Sequence, residues 1–190
     1  MANGHTKAVV AATCCALAMW SRFATAEPVM VATVVAHVLD YQQVSHGELA
    51  AAQQVASQVY AKIGVRLVWT GGPRVAAPTD GFLHVDVVLL DSVMTTRNNP
   101  EPQAFGDASH ATHRAYIYYA RVLDHARHTQ SDPVRALALV IAHELGHVLL
   151  PEYSHSPSGL MRATWGGRLV YVPPFSAAQA EAIRATLATR

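Results

Sequence analysis

The feature that most constrains the fold of this chain is a long apolar helix that carries three polar side chains. The run Leu137–Leu150 is almost continuously apolar, Asp132 and Pro133 form a typical helix start before it, and Pro151 ends it. Positions 143–147 interrupt the apolar surface with the sequence His-Glu-Leu-Gly-His. Burying polar groups costs free energy unless they find partners, so the fold must supply partners for this segment.

The spacing of the two histidines predicts a metal site. A four-residue step places His143 and His147 on one face of the helix, one turn apart, where both imidazoles can bind a single ion. Glu144 lies on a neighbouring flank, from which its carboxylate can reach a metal-activated water without binding the metal. The alternative is that both histidines are ordinary hydrogen-bonded side chains, without a metal.

A catalytic zinc ion needs a third protein ligand and one open position. His155 follows the turn forced by Pro151 and would complete a three-histidine set. Glu181, on a predicted final helix, would instead give a set of two histidines and one glutamate. The side chains closest to the helix end, Glu152 and Tyr153, are further candidates. The sequence leaves these alternatives open and favours His155 because of the residues that follow it.

After His155 the chain continues Ser-Pro-Ser-Gly-Leu and then Met161. The helix motif, the turn, a third histidine and a short turn that ends in methionine resemble the metzincin zinc metalloproteases over Asp132–Trp165. Two positions differ from the usual pattern of that family: Leu150 replaces a glycine, and Tyr153 occupies the usual place of the third histidine. The turn that leads to His155 is therefore two residues longer.

The resemblance implies a fold and a set of roles. The expected fold is α+β, with a mixed β-sheet, a long active-site helix and a short C-terminal helical part. The expected ligands of one catalytic Zn²⁺ are His143, His147 and His155, with Glu144 as the general base. Met161 would form a hydrophobic floor beneath the metal. The expected activity is that of a zinc metalloendopeptidase acting on peptides or proteins, with the segment from position 103 to position 109, or the strand after it, as the edge that holds the substrate.

In the rest of the chain, segments whose apolar residues recur at helical spacing alternate with short continuous apolar runs that are typical of strands. A helix is predicted behind Ser45, ending at Gly64, and a short one over Ser176–Leu187. A long surface loop is predicted over Thr95–His113. Strands are predicted at Val29–Leu39, Val65–Trp69, Phe82–Leu90 and Ala115–Val122.

The first 26 residues have the layout of a secretory signal peptide. A basic start that ends at Lys7 is followed by the apolar stretch Ala8–Trp20 and by the small residues Ala24–Ala26. The stretch is short for a transmembrane helix, so no stable membrane anchor is expected. Residues 27–190 are then expected to form one catalytic domain that is secreted or periplasmic.

Composition limits the partners and the role of a metal. The 190 residues are 51% hydrophobic, with 14 basic and 13 acidic side chains, which is typical of one globular domain and gives no basis for nucleic-acid binding. A monomer is expected. A chain of this length buries about two thirds of its unfolded surface, so a metal is not required for folding and its expected role is functional.

Two other classes of function remain open at this point. One is a binding protein that holds zinc without hydrolysing anything, although a purely structural site has no need of Glu144 as a base. The other is a zinc hydrolase of a non-peptide amide, such as a cell-wall crosslink. Two further histidine pairs, His110 with His113 and His125 with His128, are expected to be solvated side chains rather than an accessory metal site.

Overall fold

The computed structural model describes Met1 and residues 30–74, 81–98, 100–151 and 154–189. The segment predicted to be a signal peptide lies almost entirely outside these residues. Within the described part, no helix is long and apolar enough to cross a membrane. The strands are β1 (Ala32–Asp40), β2 (Val65–Gly71), β3 (Leu83–Leu90), β4 (Gly106–Ser109) and β5 (Arg114–Tyr118). The helices are α1 (His46–Ala61), α2 (Ser92–Asn98), α3 (Tyr119–His128), α4 (Pro133–Leu149) and α5 (Ala177–Ala188).

The five strands form one mixed sheet in the order β2-β1-β3-β5-β4. Strand β1 pairs in parallel with β2 and β3, and β5 pairs in parallel with β3. Only β4 runs antiparallel, at the edge of the sheet beside β5. Every residue of β3 is buried, as expected for a central strand of a sheet that is covered on both faces. The predicted α+β fold with a mixed sheet is confirmed.

The main hydrophobic core lies between one face of the sheet and four helices. Strand residues such as Val85 and Ile117 pack there against side chains of α1, α3, α4 and α5. A smaller cluster on the opposite face joins Val88, Leu90 and Tyr118 to Met94 of α2. Helix α4 is buried on nearly all sides from Ala136 to Gly146, so His143 and Glu144 lie inside the protein, while His147 in the last turn is partly buried.

Two parts of the predicted secondary structure are wrong. The strand predicted over Ala115–Val122 ends at Tyr118, and the chain continues as α3, whose buried residues Tyr119, Val122 and Ala126 have helical spacing. The predicted loop Thr95–His113 contains the end of α2 and all of β4. Strand β4 has the sequence Gly-Asp-Ala-Ser, which is poor in strand formers, and its pairing with β5 holds it in the sheet.

Candidate metal centre

Helix α4 begins and ends as its sequence predicts. The Asp132 side chain accepts a hydrogen bond from the backbone N–H of Val134 at 2.9 Å, and Pro133 occupies the first helical position. The helix ends at Leu149, and Leu150 is already extended before Pro151. These boundaries place His143 and His147 in the last two turns, next to the edge of the sheet.

Three imidazoles meet at this end of α4. The Nε2 atom of His147 lies 3.0 Å from Nε2 of His143 and 3.1 Å from Nε2 of His155. One ligand nitrogen from each of the three residues lies within 4.8 Å of the others, and no other such group of metal-ligating side chains exists among the described residues. Ligands of a tetrahedral zinc ion with Zn–N bonds of about 2.0–2.1 Å lie about 3.3 Å apart, so the spacing of these nitrogens suits zinc.

Hydrogen bonds to the Nδ1 atoms orient two of the three imidazoles. Nδ1 of His143 donates to the Leu160 carbonyl oxygen at 2.9 Å, which places the proton on Nδ1 and leaves Nε2 as a free lone pair. Nδ1 of His147 lies 2.9 Å from the Ser154 hydroxyl, which can accept the same kind of hydrogen bond. The segment after α4 thus supplies one ligand, His155, and also orients the two ligands of the helix.

The electrostatics of the helix keep both of its imidazoles neutral. Burial, with a smaller contribution from the nearby His155, lowers the pKa of His143 to about 4, although the hydrogen bond to the Leu160 carbonyl acts in the opposite direction. Burial likewise lowers the pKa of His147 to about 3, together with the charges that His143 and His155 would carry. A neutral imidazole is the form that binds a metal, so these groups are ready to act as ligands at neutral pH.

Glu144 is buried beside the metal ligands, with 5% of its surface exposed. Burial raises its pKa to about 8, and the negative charge of Asp107 contributes in the same direction. Strand β4 passes directly over it: a Cβ atom placed on Gly106 would lie 2.5 Å from Cγ of Glu144 and 2.6 Å from Oε1. The absence of a side chain at Gly106 is what allows the strand and the carboxylate to come this close.

Met161 is fully buried beneath the turn of α4 that joins the two histidines. A Cβ atom on Gly146 would lie 2.6 Å from the Met161 sulfur, so the helix and the methionine are in close contact at this glycine. The backbone N–H of Ser156 donates to the Met161 carbonyl at 2.7 Å and closes the segment between them into a tight turn.

The structure does not bring every candidate ligand to the site. Glu181 is exposed on α5 and is not part of the metal-ligating group. Glu152 and Tyr153 lie outside the described residues. His155, which is itself exposed, joins the two helical histidines in this group.

Several other histidines form hydrogen bonds outside the metal-ligating group. Nδ1 of His110 donates to the Val148 carbonyl at 2.7 Å, and Nδ1 of His128 donates to the Asp124 carbonyl at 2.8 Å. His37 and His84 are joined by a 2.8 Å hydrogen bond between β1 and β3.

Several residues of the site give no signal in the sequence. Ser154 and Gly106 act through contacts that only the folded chain creates. The ring of Trp165 lies edge-on against His143, with 4.7 Å between the ring centroids, and stacks on Phe105 at 6.3 Å. The hydroxyl of Tyr60 donates to the Ala142 carbonyl at 3.0 Å, just before the first histidine of the helix. Ser154 lies only seven positions after His147, whereas the residues in each of the other contacts are far from each other in the sequence.

The imidazoles and Glu144 open into a cleft of about 670 Å³. One of its sides is β4 with the residues around it, from Gln103 to Ala111, and the other includes Pro151, His155 and Trp165. A water or a polar substrate group can therefore reach both the ligand nitrogens and the carboxylate. Three ligands, one open side and an adjacent carboxylate are the components of a catalytic rather than a structural zinc site.

Comparison with known proteins supports the fold. The chain is similar in structure to an archaemetzincin from Methanopyrus kandleri, with a TM-score of 0.53 and 15% sequence identity over 83% of this chain and 96% of that one. A zinc-dependent peptidase from Methanocorpusculum labreanum aligns with a TM-score of 0.43 and 15% identity, over 80% of this chain and 99% of that one. No protein-family model and no curated protein sequence matches the chain. The fold is thus the one seen in archaemetzincin.

Proposed function

We propose that the protein is a secreted or periplasmic zinc-dependent endopeptidase. The observation that carries this proposal is the convergence of His143, His147 and His155 in an open cleft, with the carboxylate of Glu144 buried beside them. The fold shared with archaemetzincin agrees with it. Secretion is proposed from the signal-peptide layout of residues 1–26.

The three imidazole ligands indicate which metal the site binds and what chemistry that metal would supply. Three neutral imidazoles with one open position form a typical ligand set for catalytic zinc. When bound, zinc would supply Lewis acidity, which lowers the pKa of a water toward about 7 and polarises a substrate carbonyl. The residues that would hold it are His143, His147 and His155, and the bonds to Leu160 and Ser154 keep the two helical imidazoles in the orientation that this requires.

Glu144 is the proton carrier in this proposal. Its carboxylate accepts the proton of the attacking water and then donates it to the amine that leaves when the peptide bond breaks. Without metal, burial raises the pKa of Glu144 to about 8; the positive charge of a bound zinc ion would lower this pKa and favour the carboxylate form that accepts the proton. The close contact with Gly106 limits where the carboxylate can lie and so keeps it beside the ligands.

The peptide is proposed to bind along β4. This strand pairs with β5 on one side, and within the described residues no other strand pairs with it. A free strand edge offers backbone N–H and C=O groups to an extended peptide, which can add as a further strand. Since β4 also forms a side of the cleft, a peptide bound there would present a carbonyl to the metal-ligand cluster.

Replacing the proposed base tests this function. Glu144→Gln should keep zinc, because the three imidazoles are unchanged, and should reduce the hydrolysis of a casein or peptide substrate by several orders of magnitude. The matched control is Glu181→Gln, which changes an exposed glutamate on α5 and should leave both zinc content and hydrolysis unchanged. Equal hydrolysis by wild type and Glu144→Gln would remove Glu144 from the mechanism.

A further inference from the structure

A second cavity, of about 390 Å³, lies beside the cleft and follows α4 toward its N-terminus. Val140 and neighbouring residues of α4 form one wall, and the segment from Ser158 to Pro173 contributes much of the rest. Phe105 and Trp165 line both this cavity and the cleft. Val140 precedes His143 by three residues and therefore lies on the same face of the helix, so the cavity begins one turn away from the metal ligands.

The charges around this cavity have one sign. Arg162 and Arg168 line it, together with the weakly basic His125, and no aspartate or glutamate is among the described residues that line it. Neither arginine forms an ion pair with another described residue, whereas the nearby Arg135 pairs with Asp132. The cavity thus combines apolar helix walls with two positive charges that have no acidic counterpart in the described part of the chain.

Trp165, on the boundary between the cavity and the cleft, carries a buried hydrogen-bond donor. Its indole Nε1 has no acceptor among the described residues. A buried donor without an acceptor costs free energy. The exposed area of this nitrogen is below 1 Å², so a ligand gains this hydrogen bond only where the Trp165 ring turns toward it.

We infer that this cavity binds a carboxylate that the substrate carries close to the cleaved bond. The inference rests on the proposed peptidase function, since it identifies which peptides that site prefers. A short apolar stem would pack against α4, and the oxygens at its end would meet Arg162 and Arg168. The carboxylate belongs either to an acidic side chain or to the C-terminus of the peptide, and the same chemistry recognises both. A lysine side chain would meet two like charges instead.

Matched peptides test the inference. Acetylated and amidated alanine heptapeptides that carry Glu, Gln, Leu or Lys at the central position differ in one side chain only. With wild-type protein loaded with zinc, kcat/KM for the Glu peptide should exceed that for the isosteric Gln peptide about tenfold, with cleavage adjacent to the varied residue. The Lys peptide should be cleaved most slowly. An alanine heptapeptide with a free C-terminal carboxylate, compared with its amide, tests the second source of the carboxylate.

The same peptides are also measured for binding to zinc-loaded Glu144→Gln protein, where turnover is not needed. Arg162→Gln and Arg168→Gln should bring the ratio of the Glu peptide to the Gln peptide close to one in both assays. The matched control is Arg66→Gln, which should keep the wild-type ratio. Arg66 is an exposed arginine of β2, the edge strand opposite β4 in the sheet.

The outcomes separate the two proposals. A Glu preference, or a preference for the free C-terminal carboxylate, that is lost in the arginine variants supports the carboxylate pocket. A preference for Leu or Lys, or a Glu preference that survives both arginine variants, overturns it. If no peptide is hydrolysed while the Glu peptide still binds in an arginine-dependent way, the peptidase function fails and the pocket stands.

Discussion

The contact between β4 and Glu144 gives a sharp prediction for Gly106→Ala. The added methyl group would lie 2.5 Å from Cγ, 2.6 Å from Oε1 and 2.7 Å from Cδ of Glu144, whereas ordinary contacts begin at 3.4 Å. The carboxylate would have to move by about 1 Å to reach a normal contact distance. A displacement of this size in a catalytic group costs about 100-fold in rate, so kcat should fall by about that factor while the zinc content stays that of wild type.

The same variant should also change stability, through Glu144 alone. Overpacking of a buried site costs about 1–3 kcal/mol, which for a chain of this size lowers Tm by about 2–12 °C. In a Glu144→Ala background the three close atoms are absent, so Gly106→Ala should cost almost nothing there. Differential scanning calorimetry of the wild type, both single variants and the double variant measures this coupling.

Gly47→Ala is the matched control, because a Cβ atom at Gly47 has no neighbour within 4 Å. It should leave kcat unchanged. Equal destabilisation by Gly106→Ala in the presence and absence of the Glu144 side chain would show that the strand does not act on Glu144. Wild-type kcat in Gly106→Ala would refute the claim that β4 fixes the position of the base.

Three further predictions concern the residues around the metal ligands. Ser154→Ala should weaken zinc binding about 10–100-fold in a competition titration with a chelator, because the imidazole of His147 loses its orienting partner; unchanged affinity would exclude that role. Met161→Ala should lower the free energy of unfolding by about 2–5 kcal/mol in urea denaturation, because it leaves a cavity beneath Gly146, and a loss below 1 kcal/mol would contradict the packing described. In chelator-treated protein, the stability of the wild type relative to Glu144→Gln should fall as pH rises from about 6.5 to 8, at up to about 1.4 kcal/mol per pH unit, since Glu144 keeps its proton to about pH 8 when folded and releases it near 4.5 when unfolded. The helical histidines, whose lowered pKa values make stability rise with pH until their unfolded forms are neutral, contribute equally to both proteins and cancel in this difference; a difference that does not change with pH would contradict the raised pKa of Glu144.

The sequence predicts the parts of the fold that depend on local chemistry. Helix α4 follows from its Asp-Pro start and its proline stop, and α5 follows from Ser176, whose side chain forms a capping box with Gln179. The buried parallel strands follow from apolar runs without helical spacing. In all of these, residues close in sequence determine the element.

The parts that the sequence does not predict depend on contacts between distant residues. Strand β4 exists because β5 pairs with it, and no strand propensity marks its four residues. The spacing His-Glu-x-x-His indicates two ligands and a base, but the choice between His155 and Glu181 depends on the path of the chain after Pro151. Gly106 and Glu144 are 38 positions apart in the sequence, and no local sequence pattern predicts their contact.

The most direct test of the three-histidine centre is the zinc content of two variants, one at the proposed ligand His155 and one at the alternative candidate Glu181. Wild-type protein purified without chelator should contain about one zinc ion per chain by elemental analysis. His155→Ala should lose most of that zinc and keep its circular dichroism spectrum, because the core is large enough to fold without metal, whereas Glu181→Ala should keep the full content. Loss of zinc from Glu181→Ala with retention in His155→Ala would contradict the three-histidine centre, and correctly folded wild type without zinc would remove the basis of the proposed activity.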